Sequence, residues 1–310
     1  PQAKGFSVYK DPNQLHPEQT IGRICYDDDN LYLAIECQVK DMEKLKSHLD
    51  VAGGVFGYKS AGVVEVFLDT DHDRTNFRQV LIHANGSFMT LVSKGVGKLL
   101  NEDYLRCKAR VTDNGFTIEA VVPFAMLYLS PKTAKVWGFN LNRGHHYGET
   151  YSSWNSVLGK GFQSPGLFGE LTMNVDLSRF YWKVDMVSHP QVGDKEVKLR
   201  IKNETRHDFS GKLALVISSN SDKAPKYERA VSFKAGAEQV VSFKHSVIAA
   251  EKYAKYKISL TDETGKLSYL GNMKKAAVGG GGSLKAPPGM FKDLNDEILG
   301  DAIILNGKQL

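Results

Sequence analysis

Along nearly its whole length this chain alternates apolar and polar side chains with a period of two, and almost nowhere with the period of a helix. Leu31, Leu33, Ile35 and Val39 alternate with Tyr32, Ala34, Glu36 and Gln38, and Val64, Val66 and Leu68 with Glu65 and Phe67. Ile118, Ala120 and Val122 repeat the pattern, as do Phe139 and Leu141 against Asn140 and Asn142. Segments of this kind bury one face and give the other to water, so half-buried strands of antiparallel sheets are expected. Helical turns fit only at Met42 to Leu49 and at Pro123 to Leu129, too short to change an all-β class.

The 310 residues suffice for two cores. The formal charge of +5 arises from 40 basic and 35 acidic residues scattered without a block, so no nucleic-acid footprint is legible. No apolar run is long enough for a membrane helix, and PQAKGFSVYK lacks the order of a signal peptide. The odd count of three cysteines argues against a disulfide framework. A tight turn at Asp27 to Asn30 sets Tyr26 opposite Leu31, Cys25 opposite Tyr32 and Cys37 near Thr20. That register keeps Cys25 and Cys37 apart, and Cys25, Cys37 and Cys107 read as buried thiols.

After Phe180, Tyr181 and Trp182 a second series of strands follows at intervals of about ten residues, which reads as a β-sandwich of immunoglobulin-like type over 183–278, with a structural role. GGGGS at 279–283 has the form of an engineered flexible linker and is set aside from fold reasoning.

Four segments carry a family signature through their order: RICYDDDNLYLAIE at 23–36, VVEVFLDTDHD at 63–73, GFTIEAVVPFAML at 115–127, and WGFNLNR with FQSPGLFGEL within 137–171. Together they resemble the family 9 carbohydrate-binding module and its 9-like relatives, over about the first 175 residues. The resemblance implies a jelly-roll or sandwich domain at 1–178 that binds a polysaccharide or oligosaccharide without catalysis. It also implies a secreted, periplasmic or cell-surface setting, with a larger surface or secreted enzyme as partner. Such modules open with a strand that the first domain lacks at its own N-terminus, and AIILNGKQL at 302–310 looks like it. The segment 284–310 is therefore expected to add that strand, either by circular permutation or as a tethered complementing peptide.

A sugar module needs aromatic faces for the apolar side of a pyranose and fixed polar groups to read its hydroxyls. The family's aromatic loops correspond here to Phe56 or Tyr58 and to Phe162, and the paired tryptophans of its sugar-clamping members are absent. Trp154 is the substitute platform. Alternation places Glu36, Glu65, His83, Glu119, Asn140 and Asn142 opposite the aliphatic face, with Arg143 at the strand end. Glu65 and Arg143 form the preferred polar pair, joined by Asn142 and Glu119.

Asp69, Asp71 and Asp73 alternate in a way that could wrap a calcium ion, which some members of the family hold; a solvated loop is the competing reading. The adjacent His145 and His146 cannot both serve one ligand from a strand, and no catalytic motif occurs. Three functions of different class compete: a sugar-binding module, a structural or protein-interaction pair of sandwiches that has lost sugar binding, and a glycosidase or lyase, which would require a deep cleft with two facing carboxylates.

Overall fold

The computed structural model describes residues 2–47, 49, 62–93, 104–145, 150–188, 196–218, 224–245 and 253–276, with the short strands 304–305 and 308–309. It divides into two units, the first ending at Tyr181 and the second beginning at Trp182, with 94–99 outside the described residues.

Among the described residues the first unit holds thirteen strands, numbered in chain order. They are β1 (Gln2–Ala3), β2 (Ser7–Val8), β3 (Asp11–Leu15), β4 (Thr20–Tyr26), β5 (Asn30–Gln38), β6 (Val63–Asp69) and β7 (Arg78–His83). Then come β8 (Phe88–Val92), β9 (Arg106–Thr112), β10 (Gly115–Pro123), β11 (Val136–His145), β12 (Thr150–Ser153) and β13 (Gly169–Thr172). One sheet has the order β1-β4-β5-β10-β9. The other has the order β3-β2-β12-β11-β6-β7-β8, with β13 also paired to β11. Every pairing is antiparallel. Leu31, Leu33, Ile35, Ile118, Ala120 and Val122 from the first sheet, and Val64, Val66, Phe139 and Leu141 from the second, are buried. The helical expectations reduce to one helix, Met42–Ser47, and a 3-10 turn at Phe124–Met126.

The hairpin joining β4 to β5 has the register read from the sequence: Tyr26 faces Leu31, Cys25 faces Tyr32 and Thr20 faces Cys37. Asp27 sets it, because its Oδ1 accepts from the backbone N–H groups of Asp29 (2.8 Å) and Asn30 (2.7 Å). All three cysteines are free, but only Cys37 is buried; Cys107 is half-buried and Cys25 is exposed, on the outward side of an alternating strand. Strand β6 departs from the half-buried expectation, since all seven of its residues are buried. On the face carrying Glu65, Phe67 packs edge-on against Phe77 (5.5 Å between centroids) and beside Phe168 (5.3 Å), so apolar cover lies on both sides of the sheet.

The second unit continues with β14 (Trp182–Ser188), β15 (Glu196–Asn203), β16 (Phe209–Ser218), β17 (Lys226–Phe233), β18 (Glu238–Lys244), β19 (Tyr253–Asp262) and β20 (Leu267–Ala276). These form two antiparallel sheets, β14-β15-β18 and β17-β16-β19-β20. Trp182 packs edge-on against Phe209 and Phe233. Of the C-terminal segment, Ile304–Leu305 pairs with Lys308–Gln309 as a small antiparallel hairpin. The GGGGS run and the rest of 284–310 lie outside the described residues.

Candidate functional site

Strand alternation and register together build a polar row on the second sheet of the first unit. Glu65 on β6 faces Asn142 on β11, and Asn142 faces Ser153 on β12. All three are at most 1% exposed. Among the described residues Glu65 Oε1, both amide atoms of Asn142 and Ser153 Oγ have no hydrogen-bond partner. An unpaired buried polar group costs about 1–3 kcal/mol, so a row of such atoms is an unusual thing for a fold to retain.

Glu65 is held from one side. Gln79 on β7 donates from Nε2 to Glu65 Oε2 at 2.6 Å, and Gln163 donates to Gln79 Oε1 at 3.1 Å, which fixes the Gln79 amide. Burial pushes the Glu65 carboxyl up to about 7, against which the Gln79 bond works in the opposite direction. Tyr151 shares the face of Ser153. It forms with Tyr9 and Phe162 an aromatic cluster, in which Phe162 meets the two tyrosines edge-on at 5.4 and 5.7 Å.

Several sequence-selected residues belong elsewhere. Arg143 points from β11 to the face opposite Asn142, so the expected Glu65–Arg143 pair does not form. Its guanidinium donates to Gln38 O (2.8 Å) and Thr20 Oγ1 (3.2 Å) of the other sheet and lies over the Phe116 ring. Glu119 and Glu36 are exposed on the five-stranded sheet, not on the sheet of Glu65. Trp154 is half-buried; its ring packs on Phe139 at 5.6 Å and fills the space where a Cβ at Gly169 would stand. Asn140 is committed to a neighbouring loop through Asn155 O and Asn155 N. Phe162 does border the polar row, and half-buried His83 shares its sheet face, whereas Phe56, Tyr58 and His146 fall outside the described residues.

The Asp69–Asp73 loop is stitched to its own backbone. Asp69 accepts from the backbone N–H groups of Arg74 (2.8 Å) and Asp73 (3.3 Å), and Asp73 Oδ1 accepts from those of Thr75 and Asn76. The group of converging metal-type ligands found among the described residues is a different one: His16, Glu18 and His145, all buried. Here Glu18 Oε2 lies 2.9 Å from His145 Nδ1, and Ser152 Oγ lies 2.9 Å from His145 Nε2. The His16 and His145 rings stack at 3.8 Å with 20° between planes, and Glu18 N–H donates to His16 Nδ1 at 3.1 Å, so this nitrogen and both of those of His145 are already engaged within the protein. Desolvation pulls His145 down to about 3, so it stays neutral. The Ser152–His145–Glu18 chain has the residue types of a hydrolytic triad, yet register turns Ser152 and His145 to the face opposite Asn142, where Arg143 crosses to the other sheet, so the chain lies between the two sheets.

A two-sheet, all-β unit with a polar row beside an aromatic cluster has the architecture of a ligand-binding module. The model of the carbohydrate family 9 binding domain-like family matches residues 8–175, and the chain belongs to that family of carbohydrate-binding modules. No curated protein matches. Among solved structures, the chain is similar to a carbohydrate-binding module of family 9 from Caldicellulosiruptor kristjanssonii in complex with glucose. Identity is 17%, over 55% of this chain and 84% of that one, with a TM-score of 0.41. The cellotriose complex from the same organism matches at 15% identity, over 55% and 83% of the two chains, with a TM-score of 0.39. A DUF4785 family protein from Legionella pneumophila matches at 11%, over 84% and 58%, with a TM-score of 0.28.

Proposed function

We propose that the first unit binds a glycan over the Glu65–Asn142–Ser153 row, without catalysis, with the aromatic border of Tyr9, Tyr151 and Phe162 moving aside to admit it, because the three row residues are at most 1% exposed. The observation that carries this reading is the set of unbonded buried polar atoms on adjacent strands, within the segment that carries the family signature. A carboxylate, an amide and a hydroxyl supply the donors and acceptors that sugar hydroxyls need, and Tyr9, Tyr151 and Phe162 supply the apolar border. The setting is an extracellular, periplasmic or surface protein, in which the second unit acts as an immunoglobulin-like spacer and residues 284–310 complete the first unit by strand addition. A calcium ion near Asp69–Asp73 belongs to the same proposal, because burial raises the Asp69 carboxyl and a cation would relieve that charge. Calcium titration of the whole chain and of Asp73→Asn tests it: saturable uptake weakened in the variant supports the ion.

A structural pair of sandwiches is the second reading, favoured by the packing of Trp154 against Phe139 and Gly169. A glycan-array screen of the whole chain separates the two. Saturable binding supports the module, and silence across plant, algal and bacterial glycans supports the structural pair.

A further inference from the structure

A cavity of about 1030 Å³ lies on the five-stranded sheet, and neither Glu65 nor Asn142 lines it. Register places Cys25, Tyr32, Val121 and Arg106 in one row across β4, β5, β10 and β9, with Arg23, Ala34, Glu119 and Lys108 in the next. Arg110 follows on β9, opposite Thr117. Because β9 ends the sheet, Arg106, Lys108 and Arg110 project from its edge on one side, at steps of about 6.8 Å.

All three are exposed, and none forms an ion pair among the described residues. The neighbouring carboxylates are mostly engaged. Glu36 takes Arg23 at 2.5 Å, and Asp27 Oδ2 accepts from the Tyr32 hydroxyl at 2.6 Å, which leaves Glu119 beside Lys108. Arg106 lies in the same row as Tyr32, two strands away across Val121. Charge on an edge strand also guards against pairing with other chains, but that does not account for a groove with cations on both flanks of an aromatic ring.

We propose that this groove is a second carbohydrate surface, selective for anionic polysaccharide bearing carboxylates or sulfates. Tyr32, Ala34 and Val121 offer an apolar floor for sugar rings. Arg106, Lys108 and Arg110 offer donors for the acidic groups, with arginine suited to bidentate pairing. The surface is independent of the polar row on the other sheet.

The test uses the whole chain with three polymers: polygalacturonate, a sulfated galactan and a neutral galactan. The variants are an Arg106→Glu, Lys108→Glu double substitution at exposed positions, and Lys132→Glu, the same charge reversal at an exposed position outside the groove. Cys25 lines the groove and is exposed, whereas Cys37 is buried and burial pushes the Cys107 thiol up to about 11, so alkylation reports on Cys25. The expected result is binding of at least one acidic polymer and not of the neutral one. The affinity should fall at least about tenfold in the double variant and in about 0.5 M salt. Bound polymer should slow Cys25 alkylation, and Lys132→Glu should change none of this. The proposal is overturned if neither acidic polymer binds, if the double variant binds equally well, or if Cys25 stays unprotected. Equal affinity for single-stranded DNA would also overturn it, by reducing the surface to unselective charge attraction.

Discussion

Glu65 and Asn142 face each other across β6 and β11, and of their four side-chain polar atoms only Glu65 Oε2 has a partner, the Gln79 amide. This relationship separates stability from binding. Asn142→Leu removes two unbonded polar atoms from a fully buried position and is expected to leave stability unchanged or raise it by about 1 kcal/mol. The same change should abolish glycan binding. Denaturant unfolding and calorimetry on one preparation check both halves.

The same carboxyl makes stability depend on pH. Its folded value of about 7 lies above the ordinary 4.5, so between these values the folded chain keeps a proton that the unfolded chain has released. Stability from this group therefore falls as pH rises from about 4.5 to about 7, by up to about 3 kcal/mol, and is level above that. Denaturant midpoints of wild type and Glu65→Gln across this range should show the slope reduced in the variant.

His145 acts in the opposite direction. With a folded value near 3, it stays neutral while the unfolded chain takes up a proton below about 6.5, so its contribution falls as pH drops from about 6.5 toward 3. His145→Ala removes a neutral hydrogen-bond partner of buried Glu18 Oε2, whose other oxygen still accepts from the Lys40 N–H, and should cost about 1–3 kcal/mol. Ser152→Ala, which removes one hydrogen bond, should cost about 1 kcal/mol. Urea unfolding of both variants measures the difference.

Trp154 packs on Phe139 and against the backbone at Gly169, on the face of the sheet away from Glu65. Trp154→Ala should therefore cost about 3 kcal/mol of stability while changing glycan affinity less than twofold. A large loss of affinity with an unchanged unfolding midpoint would place the indole in the binding site.

The hairpin at Asp27–Asn30 was readable to the residue, because one aspartate side chain sets the turn and the turn sets every pair back to Thr20 and Cys37. Alternation likewise separated Glu65 and Asn142 from the aliphatic positions. It could not say which sheet a strand joins, so Glu119 was grouped with Glu65 although β10 and β6 lie in different sheets. Nor could it show that Arg143, one residue from Asn142, would cross to carbonyls on the opposite sheet. Gln79 and Gln163 carried no local signal: they are 84 residues apart, and only the fold brings their amides together beside Glu65.

The most direct test of the polar row is a calorimetric titration of the whole chain with the best neutral glycan from an array, repeated on Glu65→Gln and Asn142→Leu. Saturable wild-type binding, weakened at least about tenfold in Glu65→Gln and lost in Asn142→Leu with both variants folded, is the expected result. Undiminished binding by folded Asn142→Leu would contradict a glycan site at Glu65 and Asn142.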